Sequence, residues 1–345
     1  MRYIDVNSVE PGQILGRSIF SSNGTVLLAE NVQLTVYMIS TLKRVGVTMV
    51  YIKDPQFDDV ELEEVVSEET KRAVMGKMIE TFDAIRSGKD FHTKQLSITV
   101  DKLLEEIFEN KDVLVQLTDI RSDDNYHYVH ALNVCMMSVL VGLNCGFNAQ
   151  QLKELAIGAL LRDIGKIGLE PEEEAESGKK HHTWRGFEII KSKHEFSLMS
   201  AHVALQHHER VDGKGLPRGI DGDTIHPYAK IVAIANAYDN MVAPRSSSGK
   251  PIMPHEACER LMAMAGNELD RDYVIEFLKI VSVYPTGITV QLTTRETGVI
   301  VGQHRGLPSR PIVRIVRVDG GMNDMQVKEI DLARNPTIFI DKVIN

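Results

Sequence analysis

From Phe57 up to Pro171 the chain contains no proline, and apolar residues recur through that stretch at intervals of three and four. A helix interior excludes proline, because the ring removes a backbone donor and collides with the preceding turn. The three-four spacing lays apolar side chains along one helix face. AVMGKMIETFDAI, VDKLLEEIFEN and a run through Leu117 read as helices, and the pattern continues over Tyr128–Val141, Gln151–Leu161, Trp184–Ser192, His202–His208 and Ile231–Val242. Around Gly287 the period changes. GITVQL, GVIVGQ, PIVRIVRV and PTIFI are short strand-like runs separated by Gly and Pro. Ahead of the helices, ILGRSIF and TVLLA flank Ser22-Asn23-Gly24, a hairpin signal. Thr35 is placed to cap a helix through Lys43, Gly46 to stop it, and VTMVYI to follow as a strand. The expected architecture is mainly α: a small α/β module over 1–53, sensory or packing in role, an acidic linker over 54–69, a helical bundle over 70–285, and a β-rich annex over 286–345.

The bounds agree with an ordinary globular protein. The 345 residues are 43% hydrophobic and carry a formal net charge of −9. That charge argues against DNA or any broad nucleic-acid surface, which needs a basic face, though not against a small anion in a local basic pocket. Cys135, Cys145 and Cys258 are odd in number and sit in apolar, helix-like text, as reduced thiols do. No run is expected to reach the ~18–20 apolar residues of a membrane span, and MRYIDVNSVEPG lacks the apolar core of a signal peptide. A cytoplasmic location is the expectation.

Histidines gather where the helices end. YHYVHALNV carries His127 and His130, and ALLRDIGK carries Asp163 and Lys166. HHTWRG carries His181 and His182, QHHERVDGKGLPRG carries His207, His208, Glu209 and Asp212, and IANAYDN carries Asn236 and Asp239. Imidazoles and carboxylates drawn from several helices are how a bundle builds a first-row metal site. A metal in such a site lowers the pKa of bound water and makes hydroxide at neutral pH, which can attack a phosphodiester.

With these segments in view, Asp119 to about Val318 resembles the HD-GYP domain, an HD-type phosphohydrolase that degrades cyclic di-GMP in bacteria. HHERVDGKGLPRG is similar to the family's HHE-x-x-DG-x-GYP and LLRDIGK to its LLHDIGK; YPTGITVQL and the N-terminal unit also look like neighbours of that domain. The resemblance implies two metals. One would use His130, the HD pair and a downstream Asp; the other would share Asp163 and use His182, His207 and His208. His182 is preferred to His181 because it stands four residues before Gly186. The HD histidine is replaced by Arg162 and the downstream aspartate by Asn236. Arginine offers no lone pair, and unit charges 4 Å apart repel by about 4 kcal/mol at an effective dielectric near 20. The expectation is therefore one divalent ion or none (iron, manganese, zinc or nickel), with Arg162 pairing with Asp163 in place of the other, and His130 a further candidate ligand.

The family's tyrosine is Leu216, and the segment between Lys166 and His182 is short. Asp163 and Lys166 carry the expected catalytic roles, and Lys166, Arg245 and Arg218 the expected contacts to phosphate. Glu209 and Asp212 are read as fixing their loop, Asp239 as capping or bracing its helix, and Trp184 as either packing or a purine platform. Of three open functions, the first two are a cyclic di-GMP phosphodiesterase of low activity and an inactive receptor for that or a related nucleotide or for a protein partner. A hydrolase of another phosphorylated nucleotide is a third. A protein partner and a homodimer are further candidates.

Overall fold

The computed structural model describes residues 1–20, 26–60, 62–116, 126–168, 181–243, 251–318 and 325–344. Two compact units result: Met1–Glu64 with Leu114–Asn125 and Val281–Asn345, and Val65–Val113 with Tyr126–Ile280.

In the first unit β1 (Arg2–Asp5) pairs antiparallel with β4 (Met49–Ile52), Arg2 opposite Ile52, while β2 (Ile19–Phe20) pairs with β3 (Val26–Leu28). The tip expected at Ser22–Gly24 lies outside the described residues. Helix α1 (Val36–Arg44) is capped as expected, Met38 N donating to Thr35 Oγ1 at 3.2 Å, and Gly46 follows at φ +88°. Val6, Leu15, Ile19, Leu34, Leu42 and Val50 form its core.

The C-terminal residues belong to the same unit. Strands β5 (Thr289–Leu292), β6 (Thr297–Gly302), β7 (Ile312–Val318), β8 (Met325–Asp331) and β9 (Ile340–Ile344) form one antiparallel sheet ordered β8-β7-β6-β5-β9. Tyr3 N donates to Gly287 O at 2.9 Å and Tyr51 Oη to Thr286 O at 3.3 Å, joining the two ends of the chain. Strand β8, whose text MQVKEID is mostly polar, was absent from the expected strands, and the last strand begins where PTIFI ends.

Residues 54–69, read as an acidic linker, bury Phe57, Val60, Val65 and Val66. Phe57 and Val60 pack on Val299, and Asp59 takes a two-point contact from Arg314 at 2.6 and 2.7 Å. Four apolar residues among the acidic ones supply this burial. The helical run expected through Leu117 stops at Glu109, and Val115 bridges Val281 in the first unit.

The second unit is helical: α2 (Glu68–Arg86), α3 (Thr93–Glu109), α4 (Tyr126–Asn144), α5 (Ala149–Leu161), α6 (His182–Lys191), α7 (Leu198–Gln206), α8 (Pro227–Val242), α9 (Pro254–Met264) and α10 (Arg271–Leu278). Ser67, Asn148, Ser197, His226 and Asp270 supply side-chain caps, satisfying donors that a helix start leaves free. Helix α4 is apolar almost all round because it packs on α5, α8 and α2 together. It is long and apolar enough by composition to cross a membrane, contrary to the expectation that no stretch would be, yet 83% of that window is buried inside the fold.

Candidate metal centre

Helix α5 ends at Leu161, and the chain turns through Arg162 and Asp163 into a short 3-10 segment, Ile164–Lys166. Gly165 lies flat against the start of α6: a Cβ there would stand 2.0 Å from His182 O and 2.6 Å from Gly186 N. That approach brings Asp163 beside His182. Helix α7 ends at Gln206 and delivers His207 and His208 to the same place.

Ligand atoms of Asp163, His182, His207 and His208 all lie within 4.8 Å of one another. Asp163 Oδ1 is 3.7 Å from His182 Nε2 and 3.6 Å from His207 Nε2. The Nδ1 of His207 donates to Ala204 O at 2.9 Å, which leaves its Nε2 with a free lone pair. That nitrogen, both ring nitrogens of His182 and Asp163 Oδ1 are buried without a hydrogen-bond partner. Buried polar atoms are normally satisfied; His207 Nε2, one ring nitrogen of His182 and Asp163 Oδ1, the last already ion-paired with Lys166, converge as ligands of a divalent first-row ion do.

Charge is consistent with this. Burial pushes His182 down to about 3 and Lys166 adds to the shift; burial, followed by His207, holds His208 well below the usual imidazole range. Both rings are thus neutral and able to ligate. Burial raises Asp163, but Lys166 and then Arg162 pull its carboxyl well below the usual range. The imidazole shifts carry a pH dependence. Their stabilisation is complete above the unfolded value of about 6.5, where neither state binds the proton. As pH falls, the unfolded rings take protons that the folded ones refuse, so stability is lost progressively, for His182 down to about 3. In chelator, the unfolding free energy from urea titration at pH 5 should therefore lie below that at pH 7.5, by up to about 2 kcal/mol from His182 alone, with a correspondingly lower midpoint. Equal midpoints would mean that the rings are charged in the fold.

The place expected for a first metal is organised differently. Arg162 is 0% exposed, its Nη1 donating to Ala159 O at 2.9 Å and its Nη2 to Asn236 Oδ1 at 3.4 Å. Its Nε is 3.3 Å from Asp163 Oδ2, an ion pair whose angle does not make a hydrogen bond. His130 has both nitrogens engaged, Nδ1 with Asp239 Oδ2 at 2.5 Å and Nε2 with Asn236 Oδ1 at 2.9 Å. Tyr126 stacks on it with centroids 5.4 Å apart. His130 is therefore not gathered with the other four candidate ligands. The sequence reading took Asp239 for a helix cap or brace; its place one helical turn after Asn236 was the available signal that it faces the same way.

Of the expected phosphate contacts, Lys166 Nζ is 3.0 Å from Asp163 Oδ1 and its side chain is 30% exposed. The backbone N of Arg218 donates to the buried Glu209 at 3.0 Å, as Ile220 N does at 3.2 Å, so Glu209 ties down the loop after the two histidines. Arg245 lies outside the described residues, as does most of the segment before His181. Leu216 is exposed, its N donating to His208 O at 2.9 Å. Asp212 pairs with Arg210, and Trp184 meets Phe187 edge-on at 6.1 Å.

Residues 133–273 match the family model described as HD domain, and residues 289–345 one described as KOW domain associated with HD domain. The chain is 26% identical over 247 residues to a cyclic di-GMP phosphodiesterase of Pseudomonas aeruginosa, covering 69% of this chain and 59% of that protein. It is 31% identical over 185 residues to one of Thermotoga maritima, covering 50% and 49%. A 3'3'-cGAMP-specific phosphodiesterase of Vibrio cholerae is 26% identical over 185 residues, covering 47% and 35%. The chain thus spans about half to three fifths of the length of the first two relatives. A solved HDG"Y"P protein from Bdellovibrio bacteriovorus shares the fold, with a TM-score of 0.50 and 17% identity over 80% of this chain and 97% of that one.

Proposed function

Since residues 133–273 belong to the HD-domain family, we propose that the chain is a metal-dependent phosphodiesterase of the HD-GYP type, acting slowly on cyclic di-GMP or a related cyclic dinucleotide. The observation that carries this is the set of buried ligand atoms without a hydrogen bond on Asp163, His182 and His207, with His208 beside them. These four would hold one divalent ion, which when bound supplies a Lewis acid toward a phosphoryl oxygen and toward water. Lys166, partly exposed and 3.0 Å from Asp163, is placed to receive a phosphate oxygen by a charge-assisted hydrogen bond. His207 keeps its ligating lone pair because the carbonyls of α7 occupy its other nitrogen. Arg162, fully buried, contributes no direct phosphate contact.

The second reading, a receptor that binds without cleaving, is favoured by Arg162 and Asn236 standing where a second ion would be held. Elemental analysis of the purified chain, paired with product chromatography on cyclic di-GMP and 3'3'-cGAMP, separates them. One ion per chain and turnover well below about 1 per second is the expected result. Two ions per chain would overturn the one-ion reading. Tight nucleotide binding with no product would make the chain a receptor.

A further inference from the structure

In the described residues, the largest side chain among those fully buried is a permanent cation. Arg162 is 0% exposed, yet its guanidinium is held from several sides: Ala159 O on its own helix accepts from Nη1, Asn236 Oδ1 on α8 accepts from Nη2, and Asp163 Oδ2 faces Nε at 3.3 Å. Asn236 is itself fixed by His130 Nε2 at 2.9 Å, and His130 by Asp239. The two carboxylate oxygens of Asp163 are therefore divided. Oδ2 faces the guanidinium, while Oδ1 faces His182 at 3.7 Å, His207 at 3.6 Å and Lys166 at 3.0 Å.

We infer that Arg162 is a positioning residue: its guanidinium holds Oδ2 of Asp163 so that Oδ1 is aimed at the histidine cluster, and it balances the charge that a second ion would otherwise balance. Being fully buried, it reaches no phosphate and acts only through Asp163. A planar guanidinium stays charged in any protein environment, so the carboxylate is oriented before any ion arrives. Groups that orient a metal-binding carboxylate or imidazole typically change metal affinity 10–100-fold when removed. The inference rests on the proposed one-ion site but not on what the site hydrolyses.

The test uses the full chain, stripped by chelator and titrated with Mn2+ alone, free Mn2+ being read by electron paramagnetic resonance. Wild type should bind one ion. Arg162→Gln should bind one ion 10–100-fold more weakly, and Arg162→Lys, which keeps the cation, should recover most of that loss. Thermal midpoints of the metal-free proteins are recorded alongside, since a merely structural role would lower the midpoint without moving the dissociation constant. Wild-type affinity in Arg162→Gln would overturn the inference, and so would two ions in wild type or no binding at all. Should Arg162→Gln fail to fold, Arg162→Lys decides: affinity within a few-fold of wild type supports the role, and loss beyond tenfold overturns it. No nucleotide enters the assay, so failure to hydrolyse cyclic di-GMP leaves this result standing.

Discussion

The double variant Arg162→His with Asn236→Asp is expected to bind two metal ions per chain and to cleave cyclic di-GMP orders of magnitude faster than wild type. Asn236 Oδ1 lies between Arg162 Nη2 and His130 Nε2, at 3.4 and 2.9 Å. Exchanging both residues removes the fixed positive charge and adds an imidazole and a carboxylate beside His130. A pair of metal ions clamps both attacking and leaving oxygens of a phosphodiester, whereas one ion serves only part of that charge. Neither single change should raise the rate. Asn236→Asp alone gives Arg162 a charged partner and holds it more firmly. Arg162→His alone leaves a neutral amide where a carboxylate is needed, and groups acting as a unit recover together. Deleting the buried arginine stem costs stability, about 1–2 kcal/mol by analogy with other core truncations, so folding is checked by circular dichroism. A folded double variant with two ions and an unchanged rate would place the limit elsewhere, at Leu216 or the short segment before His181. One with a single ion would sink the argument that Arg162 and Asn236 exclude the second.

Gly165→Ala should cost about 3 kcal/mol and abolish metal retention through purification. The added methyl would meet His182 O at 2.0 Å, Gly186 N at 2.6 Å and His182 C at 3.0 Å. All three are backbone atoms, which yield far less readily than the end of a flexible side chain. The first turn of α6 must then back away from the Asp163 turn, lengthening the 3.7 Å separation of Asp163 and His182 on which a shared ion depends. Overpacking of this kind costs 1–3 kcal/mol and occasionally more. Gly76→Ala is the control. Nothing lies within 4 Å of a Cβ at that position inside α2, so alanine there should stabilise by about 0.5–1 kcal/mol. A Gly165→Ala protein with wild-type thermal midpoint and one bound ion would show that the helix shifts at no cost.

What could be read in the letters was local. A three-four apolar period reports helix without reference to anything distant, and Thr35 and Gly46 ended α1 where their backbone preferences dictate. The five histidine-bearing or acid-bearing segments, and the exchanges at Arg162, Asn236 and Leu216, were likewise plain, because residue type decides whether a lone pair exists at all. What only the tertiary structure decided was which lone pairs are free. His130 offers the same imidazole as His182 in the sequence. In the fold both its nitrogens are occupied by residues more than a hundred positions away, Asp239 and Asn236, while those of His182 are left bare. The burial of Arg162, the contact of Gly165 with α6, and the joining of β1 and the C-terminal sheet into one unit through Tyr3 and Gly287 are of the same kind. Each depends on a distance between atoms far apart along the chain, and a one-dimensional period carries no record of such distances.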